Sequence, residues 1–70
     1  MKNLEQIFIR HNLNKRETQA ATLLIREGLS NEEIGKRILR STASVKGYFT
    51  SIYRKFGVKG DRELMSLLMG

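Results

Sequence analysis

Helix-capping signals divide this chain into short helices separated by very short connections. Asn14 with Glu17, and Ser30 with Glu33, both have the capping-box pattern, in which the first side chain caps a helix and the glutamate returns a hydrogen bond. Gly28 is placed to end the first of these helices in the left-handed conformation. The chain contains no proline and no cysteine, so no proline breaks a helix and no disulfide cross-links the fold. The pattern predicts an all-α fold.

The helix capped by Ser30 is joined to the next helix by an especially tight turn. Ser30 caps a helix that the apolar spacing extends over about residues 31–39. Ser41 then caps a helix over about residues 42–56, leaving only a few residues between the two. Two helices joined so closely must cross steeply, which is typical of a helix-turn-helix.

The helix capped by Asn14 is predicted over about residues 15–27, and a last helix over about residues 62–69. Together they give a four-helix bundle with a central helix-turn-helix, assigned to a domain of residues 13–70. Residues 1–12 are expected to form an arm or a short extra helix in front of it.

The helix over 42–56 has two contrasting faces. Its large apolar residues recur at helical spacing and are predicted to face the core: Val45, Phe49, Ile52 and Phe56. The opposite face carries small or basic residues: Ala43, Gly47, Thr50 and Arg54, with Lys46 at its margin. Glycine costs a helix about 1 kcal/mol relative to alanine. An exposed glycine here therefore indicates a backbone that must approach something closely.

The basic residues are concentrated around this helix. The formal net charge is +6, and no Asp or Glu occurs between Ile34 and Gly60. The basic residues of this stretch are Lys36, Arg37, Arg40, Lys46, Arg54, Lys55 and Lys59. A basic face can be merely solvated, but a basic stretch beside a helix-turn-helix favours a polyanionic partner such as double-stranded DNA.

Few residues could support catalysis or bind a metal. His11 is the only histidine, and without cysteine the usual nucleophile pairs and metal sites are missing. Glu32 and Glu33 are adjacent, but adjacent helix positions point about 100° apart. No enzymatic activity, metal or cofactor is expected. The apolar runs fall well short of the roughly 20 residues that span a bilayer, so we expect a cytoplasmic protein with no membrane partner.

Several segments in order resemble the LuxR/FixJ-type (GerE-like) helix-turn-helix domain of bacterial transcription regulators. They are Asn14-Lys15-Arg16-Glu17, Gly28-Leu29-Ser30-Asn31-Glu32-Glu33-Ile34-Gly35, Ser44-Val45-Lys46 and Tyr53-Arg54-Lys55-Phe56-Gly57-Val58 before Arg62. The resemblance covers about Leu13 to Met69. It implies a nucleoid-associated regulator whose recognition helix enters the major groove and which forms a homodimer through its last helix.

The resemblance also assigns residues to these roles. Lys46 is the position that most often touches bases or phosphates, and Gly47 and Thr50 face the groove. The remaining expected DNA contacts, mostly to the backbone, are Asn31, Arg40, Thr42, Ser44, Arg54 and Lys55. The apolar stripe of the last helix is Leu64, Leu67 and Leu68. The dimer is expected to use Leu64, Met65, Leu68 and Met69, because Met65, Leu68 and Met69 are predicted to lie beyond what the core covers.

Three departures from the family pattern affect these expectations. Ala20 and Ala21 stand where family members carry larger hydrophobic residues. The chain is one residue longer between Glu17 and Gly28, so we expect the end of the first helix of the domain to be distorted. Gly47 and Thr50 are small where family members often carry longer polar side chains, which favours shape or thymine-methyl contacts over direct base readout. The alternative function is a protein-interaction module of the same fold that binds another regulator or RNA polymerase.

Overall fold

Residues 3–69 of the chain, described here by a computed structural model, form five α-helices and no strand. The helices are α1 (Leu4–Arg10), α2 (Lys15–Glu27), α3 (Asn31–Ile38), α4 (Thr42–Phe56) and α5 (Asp61–Met69). The predicted all-α fold is confirmed, and the optional N-terminal helix is present as α1.

Both predicted capping boxes are formed. At the start of α2, the Asn14 and Glu17 side chains each accept the other residue's backbone N–H at 2.9 Å. Ser30 and Glu33 make the same exchange at the start of α3. Gly28 ends α2 with φ 66° and donates its N–H to the Leu24 carbonyl. The expectation that this end of α2 is distorted is therefore wrong, since the helix runs regularly to its Gly28 cap.

The turn between α3 and α4 consists of Leu39, Arg40 and Ser41. The Gly35 carbonyl accepts the backbone N–H of both Leu39 and Arg40. A Cβ on Gly35 would lie 2.5 Å from the Arg40 carbonyl oxygen, so only glycine allows the chain to fold back this closely. Leu39 takes the left-handed conformation, with φ 59° and ψ 48°.

The core lies between α4 and the helices that surround it. Ala20 and Ala21 are completely buried, and their small side chains let the backbone of α2 lie close to the other core residues. The predicted inward face of α4 is confirmed for three buried residues, whereas Phe56 is only partly buried against the core. The core residues are Phe8, Ala20, Ala21, Leu24, Ile34, Val45, Phe49, Ile52, Leu64 and Leu68.

Helix α1 is packed into this same core. Phe8 is among the largest fully buried side chains, and its ring meets the Phe56 ring edge-on with centroids 6.3 Å apart. The His11 ring stacks on the Phe56 ring, with the two ring centroids 4.1 Å apart. Helix α1 therefore shares one core with α2 to α5.

Helix α5 is oriented differently from the expectation. Leu68, which the sequence pattern placed beyond the core, is only 5% exposed, whereas Leu67 is 49% exposed. That expectation is wrong because α5 turns the Leu64 and Leu68 pair inward. Asp61 is the first residue of α5, and its carboxylate accepts a hydrogen bond from the Tyr53 hydroxyl.

Candidate nucleic-acid interface

The outer face of α4 is exposed along its whole length. Val45 and Ile52 are completely buried on the inner side of the helix. This orientation leaves the residues predicted for the outer face in solvent: Ala43, Lys46, Gly47, Thr50 and Arg54. The α4 residues expected to face a ligand therefore lie together on one surface, which we call the α4 outer face.

Gly47 has no packing role within the described structure. A Cβ built at this position would have no heavy atom within 4 Å, in contrast to the crowded position of Gly35. The neighbouring Thr50 hydroxyl donates to the Lys46 carbonyl at 3.0 Å, so its proton is used inside the helix. The side chains at the centre of the α4 outer face are therefore short, and this part of the face is open and largely free of hydrogen-bond donors.

The N-terminal end of α4 is held by serine hydroxyls. Ser41 Oγ accepts the Ser44 N–H at 3.1 Å and lies 3.0 Å from Ser44 Oγ, to which it donates. Thr42 is half-buried, and so is Asn31 at the start of α3. Ser44 is exposed, so it is the most accessible of these three expected contacts, although its hydroxyl oxygen already accepts a hydrogen bond from Ser41.

The basic residues of the acid-free stretch divide into paired and unpaired groups. Lys36 lies 3.7 Å from Glu32, and Arg37 makes a two-bond pair with Glu27 at 3.2 Å. Among residues 3–69, no carboxylate lies within salt-bridge distance of the remaining expected cations: Arg40, Lys46 and Arg54. All three are exposed and can bind an anion without breaking an internal pair.

Lys55 does not belong to this unpaired group. Its Nζ lies 2.6 Å from Glu17 Oε1 and donates to the Asn12 carbonyl at 2.8 Å. Glu17 is 2% exposed. Burial tends to raise the pKa of Glu17, but hydrogen bonds from Lys55, Ser51 and Asn14 outweigh it and leave the pKa below its ordinary value. Lys55 thus joins the end of α4 to the start of α2.

Sequence reasoning missed this pair, although one signal was present. Glu17 lies at helical spacing from Ala20, Ala21 and Leu24, and so on the buried stripe of α2. A carboxylate on a buried stripe needs a cation or hydrogen-bond donors. The stripe could have predicted that Glu17 has a partner, but not that the partner is Lys55.

The residues expected to form the dimer contact do not share one exposed surface. Leu64 and Leu68 are core residues, Met65 is half-buried, and Met69 is exposed. Leu67 borders a groove of about 540 Å³ between α5 and α1, with Ile7, Arg10 and Phe56 along its other sides. The apolar surface of α5 that remains exposed is therefore Leu67 and Met69.

Residues 3–69 contain no group of three or more His, Cys, Asp or Glu side chains that could hold a metal ion. No helix among them is both long enough and apolar enough to cross a membrane.

A tight turn leading into a helix with an exposed, basic outer face defines a helix-turn-helix domain. A family model described as "GerE: Bacterial regulatory proteins, luxR family" matches residues 11–68. The chain therefore belongs to the LuxR family, which confirms the resemblance, and the family is one of helix-turn-helix DNA-binding regulators. Helix α1 precedes the matched residues. Searches of curated proteins and of solved structures gave no significant match.

Proposed function

We propose that this chain is a sequence-specific transcription regulator that inserts α4 into the major groove of double-stranded DNA. The major groove is about 12 Å wide and admits an α-helix. In this arrangement Arg40, Lys46 and Arg54 bind phosphates or base edges, and Ser44 adds a contact near the start of α4. Thr42 and Asn31 contribute through backbone groups at the starts of α4 and α3.

The observation that carries this proposal is Gly47. Its Cβ position is open and the residue is exposed, so the glycine serves no contact inside the described chain and weakens the helix. A ligand that approaches the α4 backbone closely gives the glycine a purpose. The flanking unpaired cations support an anionic ligand.

The short side chains of the α4 outer face suggest how sequence is read. Lys46 and Arg54 are its only long side chains with charged ends. Between them, Thr50 presents its methyl group while its hydroxyl bonds to the helix. Readout therefore relies on methyl contacts to thymine and on DNA shape, with a single lysine at the margin of the face.

The proposed regulator acts as a dimer on two half-sites about one helical turn apart. Leu67, the exposed apolar residue of α5 that borders the groove beside α1, forms the centre of the contact between copies. Leu64 and Leu68 support this contact by packing α5 against the core.

Fluorescence anisotropy on a duplex selected from a random library, and on a scrambled duplex, tests the DNA-binding proposal. Lys46→Ala should weaken binding by about 1 to 3 kcal/mol if Lys46 contacts a base, with less loss on the scrambled duplex. If Lys46 contacts only phosphate, the loss should be similar on both duplexes and the salt slope should fall by about one unit.

Arg54→Ala should behave as a phosphate contact, and Arg26→Ala provides the matched control. Arg26 is an exposed cation on α2, away from the α4 outer face. If Lys46→Ala and Arg54→Ala bind both duplexes as the parent does, α4 is not the DNA-facing helix. The protein-interaction module then becomes the better proposal.

A further inference from the structure

Leu39 is a large hydrophobic residue placed where both solvent and backbone disfavour it. Its side chain is 86% exposed, more than any other large hydrophobic residue described. It also has a positive φ of 59°, a conformation that is uncommon for residues other than glycine, asparagine and aspartate. The one other such residue within 3–69 is Asn12, whose side-chain type tolerates it.

The fold does not need a leucine at this position. The Leu39 contribution to the turn is its backbone N–H, which donates to the Gly35 carbonyl. Asparagine or glycine would provide the same hydrogen bond and adopt the left-handed conformation more readily. Leu39 also does not pack against the hydrophobic core. Its side chain is therefore best explained by a contact outside the chain.

The surroundings of Leu39 limit what that contact can be. Arg40 follows directly and is exposed, and no carboxylate of residues 3–69 lies within salt-bridge distance of it. The Lys36 side chain, one turn earlier, lies 3.7 Å from Glu32 but is also highly exposed. Ser41 then begins α4, so Leu39 lies within about 11 Å of the first residue of α4 along the chain. The occupant must carry negative charge and also offer an apolar surface.

Duplex DNA has both properties. Its phosphates match Arg40, and its deoxyribose C–H groups and thymine methyls provide apolar surface at the edges of the groove. We propose that Leu39 packs against such a C–H surface at the edge of the groove that α4 enters, while Arg40 binds the adjacent phosphate. This inference rests on the proposed function.

Leu39→Asn and Leu39→Gly test it, because both suit the left-handed turn. Each variant should melt at or above the temperature of the parent. Each should nevertheless bind the selected duplex about three- to tenfold more weakly, as expected for loss of a partly buried leucine. Ile9→Ala is the matched control, since Ile9 is an exposed hydrophobic residue on α1, and it should bind as the parent does.

A duplex with uracil in place of thymine identifies the surface. If Leu39 contacts a thymine methyl, the parent should lose affinity on this duplex and Leu39→Asn should lose less. If the contact is to deoxyribose, parent and variant should lose equally.

Two results would overturn the inference in distinguishable ways. If the parent binds the selected duplex and both Leu39 variants bind it equally well, Leu39 does not touch DNA, and a protein surface is its partner. If the parent itself binds no duplex, the proposed function fails and this inference fails with it.

Discussion

Gly47 and Gly35 show how two glycines in one small domain can serve different purposes. At Gly35 the missing side chain makes room for the Arg40 carbonyl, so its purpose lies inside the fold. At Gly47 the same space is open to solvent. A residue that weakens a helix without helping it pack is best explained by the surface that it keeps clear.

Replacing this glycine should therefore separate stability from binding. Gly47→Ala should raise the free energy of unfolding by about 1 kcal/mol, because alanine favours the helix, and should weaken binding to the selected duplex. Urea denaturation and anisotropy measure the two effects. Ser66→Ala, at an exposed position on α5, is the control and should leave DNA binding unchanged. Equal or tighter DNA binding by Gly47→Ala would contradict a close backbone approach.

At the scale of helices, the Glu17 and Lys55 pair connects α2 to α4. The Asn12 carbonyl also accepts a hydrogen bond from Lys55, so the pair ties the turn before α2 to the last turn of the proposed recognition helix. The exposed Arg37 and Glu27 pair joins α3 to the end of α2. Exposed pairs contribute only about 0 to 1 kcal/mol, so the buried pair is the stronger constraint on where α4 lies.

Glu17→Gln should lower the free energy of unfolding by about 1 to 3 kcal/mol at neutral pH, because it removes the charge of the buried acceptor that Lys55 and the Asn14 N–H share. Glu27→Gln, which removes the exposed pair, is the matched control and should cost less than about 1 kcal/mol. Urea denaturation of both variants and the parent measures these differences. A larger loss in Glu27→Gln would show that the buried pair is not the main link.

The same pair predicts a dependence on pH. Because the pKa of Glu17 in the folded chain is below its ordinary value of 4.5, its ionised form contributes stability above that value. The contribution is lost as the pH falls through the lower folded pKa. The difference between the parent and Glu17→Gln should therefore shrink in strongly acidic solution. A difference that stays constant down to low pH would contradict this assignment.

At the scale of the whole molecule, α1 and α5 border one groove, whereas the proposed DNA contacts lie on the α4 outer face. Phe8 brings α1 into the core through Phe56, although α1 precedes the residues that the family model matches. Leu67 lies at the groove between α1 and α5. The added helix thus becomes part of the surface next to the proposed dimer contact.

Phe8→Ala should cost about 3 to 5 kcal/mol, as removal of a buried aromatic ring does, and should lower the melting temperature of the whole domain. Ile9→Ala removes an exposed neighbour on the same helix and should change stability by no more than about 0.5 kcal/mol. Thermal unfolding followed by circular dichroism compares them. If both variants melt alike, α1 does not contribute to the common core.

The dimer is tested best at Leu67, because a charge at Leu68 would be buried and would unfold the chain. Leu67→Glu should weaken binding to a duplex with two half-sites while binding to a single half-site changes little. Ser66→Glu places the same charge at the adjacent exposed position of α5 and should be milder. Unchanged binding by a folded Leu67→Glu variant would exclude this contact surface.

The sequence by itself determined the features that depend on neighbouring residues. The capping boxes of α2 and α3, the turn before Ser41 and the inward position of Phe49 follow from hydrogen bonds and helical periodicity over a few residues. The exposed positions of Lys46 and Gly47 follow from the same periodicity. These features were predictable because they do not depend on how the helices cross.

Tertiary structure alone decided which residues meet across the chain. Lys55 is distant from Glu17 in sequence, and only the packing of α4 on α2 brings its ammonium to that carboxylate. Leu67 and Leu68 are equally apolar, and the rotation of α5 against the core decides that Leu68 is buried. Such contacts depend on the crossing angles and rotations of several helices together, which the pattern along any one helix does not contain.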